Sequence, residues 1–115
     1  MFGNSSFNIL VAYYSFTGNT SLVADAISNQ CQSDILHIKD KKKRAGILGY
    51  LKSGYESFTN VKSEIEYSET NLTDYDLIIL GTPVWMGNVA SPMRTFIVEN
   101  KNKFQKTAFL KLYFE

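Results

Sequence analysis

Apolar residues cluster along the chain in short unbroken runs, separated by segments where they recur at helical spacing. Residues 7–15, FNILVAYYS, are almost all aliphatic or aromatic. A run of this kind suits a parallel strand covered on both faces. The turn cluster FTGNT follows, and then Leu22, Val23, Ala26 and Ile27 fall on one stripe across residues 20–30. The pattern predicts a buried strand that passes through a loop of small residues into an amphipathic helix. Residues 34–40 read as a second strand. After the basic run Lys41, Lys42, Lys43 and Arg44, the apolar residues Ile47, Leu51, Tyr55 and Phe58 predict a second helix. Gly46, Gly49 and Gly54 weaken it, at about 1 kcal/mol each in a helix interior. Residues 60–74 are polar and read as a loop. Residues 75–80, YDLIIL, predict a third strand, deeply buried like the first. It ends in the loop sequence GTPVWMGN. Ser91-Pro92 reads as a helix start, with Ser as cap and Pro in the first turn. Met93, Phe96, Ile97 and Phe104 supply that helix with a buried side, and residues 107–115 form a last strand.

The order is β-α-β-α-β-α-β, which predicts an α/β fold with a parallel sheet and helices on both faces. Such sheets take ligands at the carboxyl ends of their strands, where the strand order reverses. The loops after the first and third strands should therefore lie side by side at one mouth. The chain has 115 residues, 44% of them hydrophobic and 20% charged. That suits one domain, residues 1–115, with one core. The net charge of +1 gives no reason to expect nucleic acid or a membrane as partner. Cys31 is the one cysteine and no apolar stretch is long enough to span a membrane, so the expected location is cytoplasmic.

The first loop carries the distinctive chemistry. Ser15, Thr17, Asn19 and Thr20 surround Gly18 with three hydroxyls and an amide. Gly18 permits close approach of backbone or a positive φ. The helix start adds N–H groups and a partial positive charge. Together these suit a phosphate monoester held by neutral donors. The same residue types also serve as ordinary caps and turns, and the loop alone leaves both readings open. It is neither a Walker loop nor a GxGxxG fingerprint.

Two segments together resemble the flavodoxin family. ILVAYYSFTGNTSLVADAI is similar to the opening of flavodoxins and flavodoxin-like reductases, where S/T-x-T-G-N-T follows the first strand. YDLIILGTPVWMGNVASPMRTF is similar to the third strand and flavin loop of the same family. The resemblance implies a flavodoxin-like three-layer sandwich, sheet order 2-1-3-4, with flavin mononucleotide (FMN) at the switch point. It implies that Ser15, Thr17, Gly18, Asn19 and Thr20 hold the phosphate, and that Thr82, Pro83, Trp85, Gly87 and Asn88 meet the ring. Trp85 would stack on the ring, an arrangement that contributes roughly 0.5–1.5 kcal/mol beyond area burial. A loop aromatic that plugs the sheet end is the other reading. Gly87 would turn its peptide toward flavin N5 and stabilise the semiquinone; a simple turn glycine is the competing explanation. The implied function is electron transfer, with a redox partner protein or NAD(P)H as the other party. The alternatives are an NAD(P)H-dependent flavin reductase and a flavodoxin-fold domain without flavin.

Other candidates carry less. His37 has no adjacent acid and reads as structural. Cys31 has no CxxC partner, and no metal-ligand cluster is apparent. The basic run at 41–44 reads as a solvated loop. Compared with the family, the chain ends after the fourth strand, and the fifth strand and last helices are absent. In the last segment Ala108, Leu110, Leu112 and Phe114 alternate with Phe109, Lys111, Tyr113 and Glu115, a pattern of an exposed edge. The expectation is a homo-oligomer, or completion by a separate partner.

Overall fold

A computed structural model of the chain describes residues 7–41 and 64–113. The helix expected around residues 47–58 lies outside the described residues. Strand β1, Ile9–Tyr13, leads into helix α1, Asn19–Cys31, and strand β2, Asp34–His37. Two short strands, β3 at Lys39–Asp40 and β4 at Ile65–Glu66, precede the long strand β5, Leu77–Trp85. Strand β6, Asn88–Val89, helix α2, Ser91–Asn100, and strand β7, Thr107–Leu112, complete the order.

The main sheet runs β2-β1-β5-β7, with all three pairings parallel. This is the predicted order 2-1-3-4. β1 alternates its side chains between two layers, as a central strand must. Leu10, Ala12 and Tyr14 face α2, in a core with Ile78, Leu80, Met93 and Phe96. Val11 and Tyr13 face α1, with Ala24 and, partly buried, Ile27 and Ile79.

Four features differ from the pattern in the sequence. The second strand stops at His37, because Lys39 and Asp40 leave the main sheet and pair antiparallel with Glu66 and Ile65. The third strand continues through GTPVW to Trp85, then turns back into β6, with Val84 opposite Val89 and Trp85 opposite Asn88. In α2, Ala90 is the N-cap and Ser91 the first helical residue. In α1, Thr20, Ala24 and Ser28 are the buried stripe, and Leu22 is 71% exposed. Gly81 accounts for that rotation. A Cβ there would stand 3.2 Å from Tyr13 Cβ and 3.4 Å from the Thr20 methyl, so helix and sheet meet closely at a glycine. Close approach requires small residues at i, i+4 and i+8, and α1 presents those rather than its bulkiest side.

β7 pairs with β5 through Ile78–Thr107 to Pro83–Leu112. Leu110 and Leu112 are half-buried and Ala108 is exposed; on the other face Phe109 is 49% exposed, with the Lys111 ammonium 5.4 Å from its ring centre. At the opposite end of the strands, the Tyr75 hydroxyl donates to Asp34 Oδ2 at 2.6 Å and Asn8 N–H to Asp76 Oδ2 at 2.6 Å. Burial and the Asp34 carboxylate push the Tyr75 hydroxyl up to about 12.

Candidate functional site

β1 exits over one face into α1, and β5 exits over the other face, through β6, into α2. The mouth between these exits is the switch point of the sheet. Residues 15–20 and the β5–β6 hairpin form its two sides.

In the first loop the Gly18 N–H donates to Ser15 Oγ at 3.0 Å, which curls the loop into the helix start. Gly18 is the N-cap of α1, with φ +106 and ψ −13, a conformation that a side chain strains. A Cβ at Gly18 would meet no atom within 4 Å, so the backbone there faces open space. Its carbonyl accepts from Leu22 N–H at 3.0 Å, closing the first helical turn. Thr17 and Asn19 are exposed, Ser15 is half-buried and Thr20 is fully buried, its methyl against Gly81. The first turn of α1 contains no acidic residue, so nothing there opposes an anion. Five residues picked from sequence are thus brought together, four of them with surface at the mouth.

The second side is built differently. Trp85 ends β5 and is only 4% exposed. Its ring meets Tyr14 edge-on at 5.8 Å and Phe16 at 5.7 Å. The sequence places it beyond the strand; in the structure it is the last strand residue and part of the core. Thr82 is buried as well. Its hydroxyl donates to Pro83 O at 2.8 Å and accepts from Ala90 N–H at 3.3 Å, while Ala90 N–H also reaches Pro83 O at 3.0 Å. Thr82 and buried Pro83 therefore fix the start of α2. Met86, Gly87 and half-buried Asn88 are what this side presents to solvent. Met86, Tyr14 and Phe16 were not picked out from sequence. For Tyr14 and Phe16 the available signal was two aromatics flanking Ser15, directly before the glycine loop.

Around this mouth, His37 stacks on Tyr13 with ring centres 4.7 Å apart and planes 6° off parallel. Burial and then the Lys39 charge lower its pKa, opposed by Asp25. That arrangement is a packing one. A groove of about 510 Å³ runs along β2, lined by Ile35, His37, Lys39, Glu66, Tyr67 and Thr70 among others. It includes none of the residues of the two loops. Among the described residues no His, Cys, Asp and Glu side chains group to hold a metal ion, and no helix is long and apolar enough to cross a membrane.

Sheet order and strand directions together define an α/β protein with a parallel sheet, in which the two loops picked from sequence meet at the strand ends. Comparison with known proteins gives the family: residues 8–110 match the family described as Flavodoxin, and the chain belongs to it. A flavoprotein from Lactobacillus acidophilus NCFM, solved in complex with FMN, superimposes with a TM-score of 0.80 at 27% identity, covering 91% of this chain and 74% of that one. The apo-form of the flavoprotein from the same organism gives a TM-score of 0.68 at 26% identity over 91% of this chain and 73% of that one. Among curated proteins, an NAD(P)H dehydrogenase (quinone) from Archaeoglobus fulgidus is 31% identical over 93 residues, 77% of this chain and 49% of the relative. The chain thus spans about half the length of that relative.

Proposed function

We propose that the chain is an FMN-binding flavodoxin-type protein that transfers electrons. One observation carries the reading: the loop at the switch point opens its backbone to solvent at Gly18, in a left-handed conformation at the start of a helix whose first turn has no acidic residue. Such a site suits a phosphate dianion held by N–H groups and hydroxyls. Ser15, Thr17, Gly18 and Asn19 are the residues assigned to the phosphate. Thr20 is assigned a supporting role, since its buried methyl locks the helix onto Gly81. The hairpin backbone at exposed Gly87 and half-buried Asn88 is assigned to the ring. Thr82, Pro83 and Trp85 hold that hairpin in place from beneath. The resemblance to a flavoprotein solved with FMN supports the same assignment.

Bound FMN supplies the redox chemistry, because its ring accepts electrons singly or as a hydride. The protein's share is to hold the phosphate, orient the ring against the hairpin and keep its buried edge dry. No side chain is required as a general acid or base.

A second reading has a specific support. The similarity to an NAD(P)H dehydrogenase (quinone) favours a reductase that takes hydride from a nicotinamide cofactor. One experiment tests both. The purified chain is mixed with FMN and desalted, and the retained flavin is measured against protein. It is then challenged with NADH or NADPH under argon. Retained flavin near one per chain supports the FMN reading, and bleaching by either nucleotide supports the reductase. Colourless folded protein removes both.

A further inference from the structure

We propose that the groove beside β2 takes an extended segment of a partner protein as an added, antiparallel strand. The site is independent of the flavin reading and shares no residue with it.

β2 is an edge strand. Among the described residues it pairs only with β1. The Ile38 N–H donates to Tyr13 O at 2.8 Å. Successive backbone groups of a strand point to opposite sides, so Leu36 shares that direction, while Ile35 and His37 turn their N–H and C=O groups away from β1. A row of outward N–H and C=O groups is a template for another strand. Just beyond β2 the same outer side is already used. Lys39 pairs antiparallel with Glu66, and the Lys41 N–H donates to Glu64 O at 3.0 Å. Carried back along β2, that register sets His37 opposite Ser68 and Ile35 opposite Thr70. These four residues instead line a groove of about 510 Å³.

The ladder opens because Tyr67 is bound elsewhere. Its ring stands edge-on to Phe96, with centres 4.9 Å apart. Its hydroxyl donates to Glu99 Oε1 and accepts from Asn100 Nδ2, both at 3.0 Å. The Thr70 hydroxyl donates to Ser68 O at 3.1 Å, so part of this wall is satisfied locally. One wall is thus fixed to α2 and the other to β1. A strand residue fills about 160 Å³, from a rise of about 3.3 Å, a strand spacing of about 4.8 Å and a layer thickness of about 10 Å. The groove therefore has room for about three residues, the span from Ile35 to His37. Two walls suit a single free strand; the sheet edge of a second copy would bring its next strand against the far wall. In antiparallel pairing the middle residue of the guest lies over buried Leu36 and beside Tyr67, so it is apolar. Lys39 and Glu66 face each other at the closed end, so the guest needs no charge there.

The test uses the whole isotope-labelled chain, with the uncharged peptide acetyl-Thr-Thr-Val-Thr-Thr-amide as probe. In the free chain the amides of Ile35 and His37 exchange with solvent at least tenfold faster than those of Leu36 and Ile38. Adding peptide shifts the Ile35 and His37 amide resonances and slows their exchange, while Gly18 and Gly87 stay in place. The same peptide methylated on the amide nitrogens of its second and fourth residues binds at least tenfold more weakly, because those groups pair with β2. Ile35→Pro removes one outward N–H, spares the bonds to β1, and weakens the unmodified peptide by roughly fivefold. Slow exchange at Ile35 and His37 in the free chain overturns the proposal, since those groups would already be covered. So does the lack of any shift at millimolar peptide, equal affinity of the methylated peptide, or shifts confined to Phe109 and Leu110 on the other edge of the sheet.

Discussion

The two sides of the mouth solve different problems. Residues 15–20 present polar groups and open backbone, with Thr17 and Asn19 exposed and Gly18 facing empty space. Residues 82–88 sink their side chains, with Thr82, Pro83 and Trp85 buried and only the tip exposed. On the proposed function the first side would recognise the phosphate, while the second side sets a short stretch of backbone at the strand ends. Side-chain chemistry is then expected to govern affinity on the first side and stability on the second. Tyr14 and Phe16 join the two, because both touch Trp85.

Substitutions that affect one property and spare the other break or sharpen this comparison. The largest effect is expected at Trp85. Removing a buried ring of this size costs about 3–5 kcal/mol of stability. Denaturant unfolding of Trp85→Ala should show that loss. A stability within 0.5 kcal/mol of wild type would mean that the ring is not core and the two sides are alike. Next comes Thr17→Ala, which should weaken FMN by about 1–3 kcal/mol, the range for a hydrogen bond to a charged group. Because Thr17 is exposed, the loss of affinity should exceed any shift of the unfolding midpoint. A shifted midpoint with unchanged affinity would invert its assignment. Smaller again is Thr82→Val, which removes one of the two acceptors of Ala90 N–H and keeps the shape. About 0.5–1.5 kcal/mol of stability should go, with FMN affinity unchanged; a loss of affinity alone would move Thr82 to the ring.

The smallest effects are in pH, and they lie outside the two loops. Tyr75 titrates higher in the folded chain than in the unfolded one. Its contribution is therefore complete below the ordinary tyrosine range near 10 and is lost as pH rises toward about 12. Tyr75→Phe should flatten that alkaline limb of stability. His37 titrates lower when folded, so its neutral form favours folding. Stability should fall as pH drops through about 6.5, and His37→Gln should soften the fall. Both groups are largely solvated, so each step should be shallow.

Much of this arrangement is legible in the sequence, for reasons that differ by segment. β1 and the glycine loop are read from neighbours in the chain, where local pattern and local structure agree. The sheet order follows from alternation of elements. What hides is whatever depends on a distant partner. Lys39 and Asp40 leave the main sheet because they pair with Ile65 and Glu66, far along the chain. The phase of α1 is set by Gly81, a glycine on another element, and not by the bulk of Leu22. GTPVW resembles a loop by composition, yet it is strand because β7 and β6 pair along it. Gly87 is visible in the sequence, whereas the positive φ of Met86 appears only in the structure.

The central claim is that the first loop holds the phosphate of FMN. The most direct measurement is a titration of the folded apo-protein with FMN and, in parallel, with riboflavin, following quenching of flavin fluorescence. The account predicts saturable quenching by FMN near one per chain, and riboflavin binding at least tenfold weaker, about 1.4 kcal/mol. Equal affinity for the two flavins would contradict it, because the phosphate would then contribute nothing at residues 15–20.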